Sequence, residues 1–142
     1  MKVEYLNPFV AATINTCQTM LNLKVEKGAL TIKKSATTES EVTSVIGLSG
    51  KLRGSIVMGY SKPVAGAMVQ RFLGSVELPS DAEICDGIGE LCNIVAGSAK
   101  AEMNKLKMEL SISVPNVILG RGMHVMSNPS YPTLVVPFLS EI

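Results

Sequence analysis

The sequence predicts an α+β fold, a mainly antiparallel sheet packed with long helices, and three observations carry that prediction. Residues 81–105 hold apolar side chains at helical spacing over a long run. Residues 42–48 and 52–60 are β-branched-rich segments joined across Ser49-Gly50-Lys51, the pattern of an antiparallel hairpin. Strand segments fall between helical segments and are joined by short links, as in an α+β domain. A chain of 142 residues that is 46% hydrophobic suits a single domain spanning 1–142 with one core.

In chain order, Asn7-Pro8-Phe9 opens a helix, with Asn7 as N-cap and Pro8 at the first helical position. It should end near Leu21 to Leu23 and bury one face made of Phe9, Ile14, Cys17, Met20 and Leu21. Val25 to about Ser35 reads as extended structure around Gly28, and Ala36–Ser40 as a polar loop. After the hairpin, Ser61-Lys62-Pro63 starts a second helix that Gly74 closes. Ser80 and Glu83 have the spacing of a capping box, so the start of the long helix is well specified. Leu110, Ile112 and Val114 then alternate with serines as a half-buried strand stopping at Pro115, continued by Val117–Leu119. Gly120-Arg121-Gly122 and Ser127–Ser130 turn the chain, and Thr133–Leu139 forms a closing strand with Pro137 near its end.

The long helix carries the chemistry. At about 100° per residue, Asp86, Glu90, Asn93, Gly97 and Asn104 return to one narrow stripe. Ile84, Ile88, Leu91, Val95 and Ala99 lie opposite, so an apolar back faces the core and a carboxylate sits beside a carboxamide on the front. Gly97 is the odd residue there, because glycine within a helix costs roughly 1 kcal/mol relative to alanine. A missing side chain makes sense where another surface must come close, so Asp86 and Gly97 are candidate partner-binding positions beside Glu90 and Asn93. The dull reading of these residues is a solvated helix face, with Asp86 placed only by the helix dipole.

Other chemistries fit less well. Formal net charge is +1 with acids and bases interspersed, which excludes the basic field that nucleic-acid binding requires. Residues 1–5 lack the apolar run of a secretory signal, no stretch has the length of a membrane span, and the cysteine count is an odd three, so a cytoplasmic protein without disulfides is expected. Cys85 and Cys92 have no histidine or carboxylate at metal-ligand spacing and read as small buried hydrophobes. His124 reads as an ordinary strand residue, and Gly87-x-Gly89 lacks the strand and third glycine of a dinucleotide fingerprint.

The pattern Asp86-x3-Glu90-x2-Asn93, with Pro115 on the next strand, resembles the signature of the CheC/CheX/FliY family of bacterial chemotaxis phosphatases, and the order of elements is similar over nearly the whole chain. The resemblance is to CheX-like members above all. It implies a CheC-like fold built on a cryptic two-fold repeat of helix plus strands, and hydrolysis of the aspartyl phosphate on a phosphorylated, CheY-like receiver-domain response regulator. Asn93 would position the attacking water and Glu90 would pair with the regulator's active-site lysine. No cofactor or metal of the chain's own is implied, since the Mg ion belongs to the regulator. Some family members carry a second motif on the first helix, where Ala12-x2-Asn15 of this chain lacks the carboxylate, so one site per chain and a homodimer are expected. The uncharged segments 110–119 and 133–139 would supply the pairing edges. The competing reading is a non-catalytic module of the same fold that docks a receiver or flagellar-switch protein. A small-molecule enzyme ranks last, for want of a convergent base and nucleophile.

Overall fold

A computed structural model describes residues 3–33, 39–124 and 133–142, so the loop expected at Ala36–Ser40 and the turn at Ser127–Ser130 lie wholly or mostly outside the described residues. A 3-10 turn at Val3–Tyr5 leads into helix α1 (Asn7–Leu21), followed by strands β1 (Val25–Lys27), β2 (Thr31–Lys33), β3 (Val42–Gly50) and β4 (Gly54–Tyr60). Helices α2 (Lys62–Leu73) and α3 (Asp81–Lys105) come next, then β5 (Leu110–Ile112), β6 (Asn116–Leu119), β7 (Thr133–Val135) and β8 (Phe138–Ser140). Among the described residues the strand pairs are antiparallel.

β3 is the axis of the main sheet. It pairs with β4 from Val42↔Tyr60 to Leu48↔Gly54, and on its other side with β5 and β6. The predicted strand from Leu110 is therefore continuous in its partner but broken in its ladder. Between the two pieces the Ser113 N–H donates to Gly47 O at 2.9 Å while the Gly47 N–H donates to Ser113 Oγ at 2.8 Å. A side-chain oxygen thus replaces a ladder carbonyl, the chain bulges, and Val114 is pushed out to 82% exposure rather than half-buried as its alternation suggested.

The closing segment is two strands, not one. β8 pairs with β1 and β7 with β2, and the break comes at Val136-Pro137 because proline has no N–H to give the ladder. Pro137 sits opposite Gly28, whose N–H donates to Pro137 O at 2.8 Å; a Cβ on Gly28 would lie 2.8 Å from Pro137 Cγ. The two ribbons bend together at the one residue small enough to allow it.

α1 differs from expectation at its start and on one flank. Asn7 is the first helical residue and not the cap; the cap is Leu6, which has helical torsions and no side-chain cap because the 3-10 turn feeds straight into the helix. The buried face is Ala12, Thr13, Thr16, Cys17 and Leu21, with Met20 41% exposed. Small side chains face inward because α1 lies directly on α3, where Ala12 packs with Val95 and Ala99. α2 starts and stops as read, with Ser61 Oγ accepting from the Val64 N–H and Gly74 left-handed at φ +64°. The core gathers Leu21 and Leu23, Val42 and Ile46 of β3, Val69 of α2, and Ile84, Ile88, Leu91 and Cys92 of α3. No helix of the described residues is long and apolar enough to cross a membrane.

Candidate functional site

α3 spans 25 residues and is fixed at its start by a complete capping box. The Ser80 N–H donates to Glu83 Oε2 at 2.7 Å and the Glu83 N–H to Ser80 Oγ at 3.2 Å, while Asp81 pairs with Lys62 of α2 at 2.9 Å. The predicted back is buried in full: Ile84, Ile88, Leu91, Val95 and Ala99 are each at most 4% exposed, and Cys92, Ala96 and Met103 join them. Burial of that face against α1, α2 and the sheet sets the rotation of the helix, and the rotation sets the front.

Asp86, Glu90, Asn93, Gly97 and Asn104 are all exposed, so the stripe read from spacing faces solvent. The side chains of Asp86, Glu90 and Asn93 make no hydrogen bond or ion pair within the described residues. A Cβ built on Gly97 would meet nothing within 4 Å. Close packing within this chain therefore does not explain that glycine. It does explain another one, Gly87, whose spacing to Gly89 had suggested only a phosphate-binding loop that fits poorly. A Cβ on Gly87 would lie 2.7 Å from Val69 Cγ2, so glycine lets α2 and α3 approach closely here, on the flank of the turn that carries Asp86 and Glu90. The local signal for it, two glycines in one helical turn, was present; the neighbour was not.

Behind Asn93 the helix is anchored by Cys92, whose Sγ lies 3.7 Å from the Tyr60 hydroxyl of β4. Burial raises the Cys92 thiol above its ordinary value, more than the Ser44 and Tyr60 hydroxyls lower it. Burial likewise drives the Tyr60 phenol well above its usual range, with Cys92 adding to it. Cys85 is raised by partial burial first and then by the charges of Asp81 and Asp86. Neither thiol on α3 has the lowered pKa of a nucleophile. Among the described residues no group of three histidine, cysteine or acidic side chains could hold a metal ion.

The front is thus a carboxylate and a carboxamide less than a turn apart, on a rigid helix, open to a partner surface. A carboxamide both donates and accepts hydrogen bonds without titrating, and a carboxylate offers a partner for a lysine. Ala12 of α1, the position compared with a second motif, is 6% exposed against α3 and presents nothing outward.

A family model described as chemotaxis phosphatase CheX matches residues 42–139. The chain is 24% identical, over 99% of its length and 92% of the relative's, to a Thermotoga maritima protein named CheY-P phosphatase CheX. Among solved structures it is similar to chemotaxis protein CheX from Desulfovibrio desulfuricans, with a TM-score of 0.89 and 30% identity over 97% of this chain and 92% of that one. The CheX chain of a CheX–CheY–BeF3–Mg2+ complex from Borrelia burgdorferi has the same fold, with a TM-score of 0.83 and 23% identity over 99% of this chain and 92% of that one. The mixed helical and antiparallel architecture, the family match over most of the chain and the likeness to CheX structures from end to end agree, and the chain belongs to the CheX family of chemotaxis phosphatases.

Proposed function

We propose that the chain is a cytoplasmic phosphatase that docks a phosphorylated, CheY-like receiver domain through the front of α3 and hydrolyses its aspartyl phosphate. The observation that carries this reading is the pair Glu90 and Asn93, exposed on one face of a helix whose opposite face is locked in the core, with an open surface over Gly97. The naming of the Thermotoga relative as a CheY-P phosphatase and the solved complex of the Borrelia family member with CheY support it.

In this mechanism Asn93 enters the partner's site and holds a water in line with the phosphorus, one hydrogen bond given and one accepted. Orientation of a water at an acyl phosphate is a large part of the work, because the bond is already activated and no strong base is needed. Glu90 pairs with the receiver's lysine and keeps Asn93 in register. Mg2+ comes with the phosphorylated receiver and spreads the charge that develops on the phosphoryl oxygens. Asp86 and Gly97 flank the pair as docking positions, the first by charge and the second by leaving room.

We further propose a homodimer with one such site per chain. Among the described residues β4 pairs only with β3, and its seven residues, Gly54–Tyr60, include no charge and no proline, so this edge rather than β5–β6 alone offers unguarded pairing. Light scattering across a hundredfold concentration range tests it, and a mass that stays at one chain refutes it. The function itself is tested by adding the purified protein to a phosphorylated receiver and following phosphate release. Acceleration is expected, and binding without acceleration would make the chain an adaptor of the same fold.

A further inference from the structure

The front stripe of α3 runs into a groove at its C-terminal end. The groove has a volume of about 720 Å³ and is lined by Gly50, Lys51, Lys100, Asn104, Glu109, Leu110 and Ser111. Lys100 and Asn104 lie on the same side of the helix as Asn93, roughly 10 and 16 Å further along the axis at 1.5 Å per residue. Any partner seated over Asn93 and Gly97 with an ordinary footprint therefore extends over the groove.

The groove is built by the fold. Its far wall is the end of the β3–β4 hairpin, where Gly50 at φ +108° lets the chain pass so close that an added Cβ would lie 2.7 Å from Glu109 O. The Lys51 N–H donates to that same carbonyl at 3.2 Å, and Lys51 Nζ donates to Lys107 O at 3.0 Å, which holds the ammonium at the rim. Opposite it stands Lys100, half-buried, with no hydrogen bond or ion pair among the described residues. With no carboxylate among the described residues paired to it, this ammonium is open to a counter-charge from outside. Glu109 is the one carboxylate in the lining, and no ion pair ties it to either lysine. Two cations face one anion.

We infer that this groove receives an acidic segment of the docked partner, with Lys100 and Lys51 as its counter-charges, and that it sets affinity for one regulator over another. The inference rests on the docking reading of α3 and deepens it. A basic segment would meet two like charges, and an open groove does not retain a small anion by itself. An acid tethered to a partner already held on the Glu90–Asn93 face needs only the added charge pairing, since the rest of the interface supplies its effective concentration.

The test uses a phosphorylated receiver domain, with KM and kcat measured at low and high salt. Lys100→Glu should raise KM about fivefold to tenfold at low ionic strength and leave kcat unchanged, Lys51→Glu should act in the same direction, and Glu109→Lys should lower KM. The differences should shrink near 0.5 M salt, where exposed charges are screened within about 4 Å. Unchanged KM in all three variants overturns the groove. So does a lowered melting temperature in Lys100→Glu without a KM change, because Lys100 then acts only within its own fold. Wild-type protein that binds the receiver without accelerating phosphate release overturns the phosphatase reading alone, and the ratio of variant to wild-type affinity, from titration, still decides the groove.

Discussion

Two glycines in one helix separate what α3 does for its own chain from what it offers to another. Gly87 faces α2, where the Val69 methyls stand 2.7 and 2.8 Å from an added Cβ; Gly97 faces outward, where nothing stands within 4 Å. The first is a packing requirement. The second has no internal cause, and glycine there lowers helix stability by roughly 1 kcal/mol relative to alanine. The flank of α3 that is closed by its own chain and the face that is open to solvent should thus fail in different ways. Substitutions on the closed side should lower stability and carry activity down only with it, whereas substitutions on the open side should lower activity or docking in a protein that melts normally.

The largest effect belongs to the open side. Asn93→Ala should cut regulator dephosphorylation on the order of 10²–10³-fold, by analogy with removal of one oriented hydrogen-bonding group from a transition state. Its melting temperature should match wild type, since the Asn93 side chain is exposed and makes no hydrogen bond or ion pair among the described residues. Near-normal phosphate release by this variant would sink the mechanism.

The comparison itself is sharpest in a matched pair. Gly97→Leu should fold and melt at or above the wild-type temperature, since leucine is the better helix former, yet lose most docking to a phosphorylated receiver. Gly87→Leu should lose roughly 1–3 kcal/mol or more through overpacking against Val69, read by thermal or urea melts. If Gly97→Leu unfolds, or if Gly87→Leu melts normally, the division between the two sides is wrong.

Glu90 comes next. Glu90→Ala should weaken docking and rate together, and Glu90→Lys should be worse because it sets like charges face to face. Equal affinity of wild type and Glu90→Lys for the phosphorylated receiver would remove Glu90 from the interface.

The smallest effect lies near the N-terminal end of α3, where the charges are already satisfied. Glu41 accepts from the Lys62 N–H at 3.3 Å and from Arg121 Nη2 at 3.1 Å, and the first of these does most to hold its carboxyl below the ordinary value, with Arg121 second. A carboxyl lowered in the folded state contributes stability that is complete above its unfolded-state pKa and is lost as pH falls toward the folded value. Wild type should therefore lose a small increment on acidification that Glu41→Gln lacks, and parallel pH profiles of melting temperature would dismiss any stabilising role of the Glu41 carboxylate. This paired end contrasts with the groove at the other end of the helix, where Lys100 has no partner within the described residues.

What the sequence determined by itself lies within single helices. Ser80 with Glu83, Ser61 before Pro63, Gly74 after Leu73 and the stripe from Asp86 to Asn104 were legible because each depends on residues a few positions apart on one helix, and the geometry of a helix is the same in any surroundings. That Glu90 and Asn93 share one exposed face was legible for the same reason. What only the tertiary structure decided is what lies over each face. Periodicity says that Gly87 and Gly97 belong to one helix, not that Val69 covers the first and solvent the second. It could not place Met20 outside, because α1 meets α3 through Ala12 and so turns that flank away. Nor could it say that the chain bends at Pro137 against Gly28 or that Val114 is lifted where Ser113 bonds Gly47, since each of those partners lies more than sixty positions away. Rotation about a helix is local. The identity of the neighbour is settled only by long-range packing and strand pairing, in which every element buries its apolar face at once.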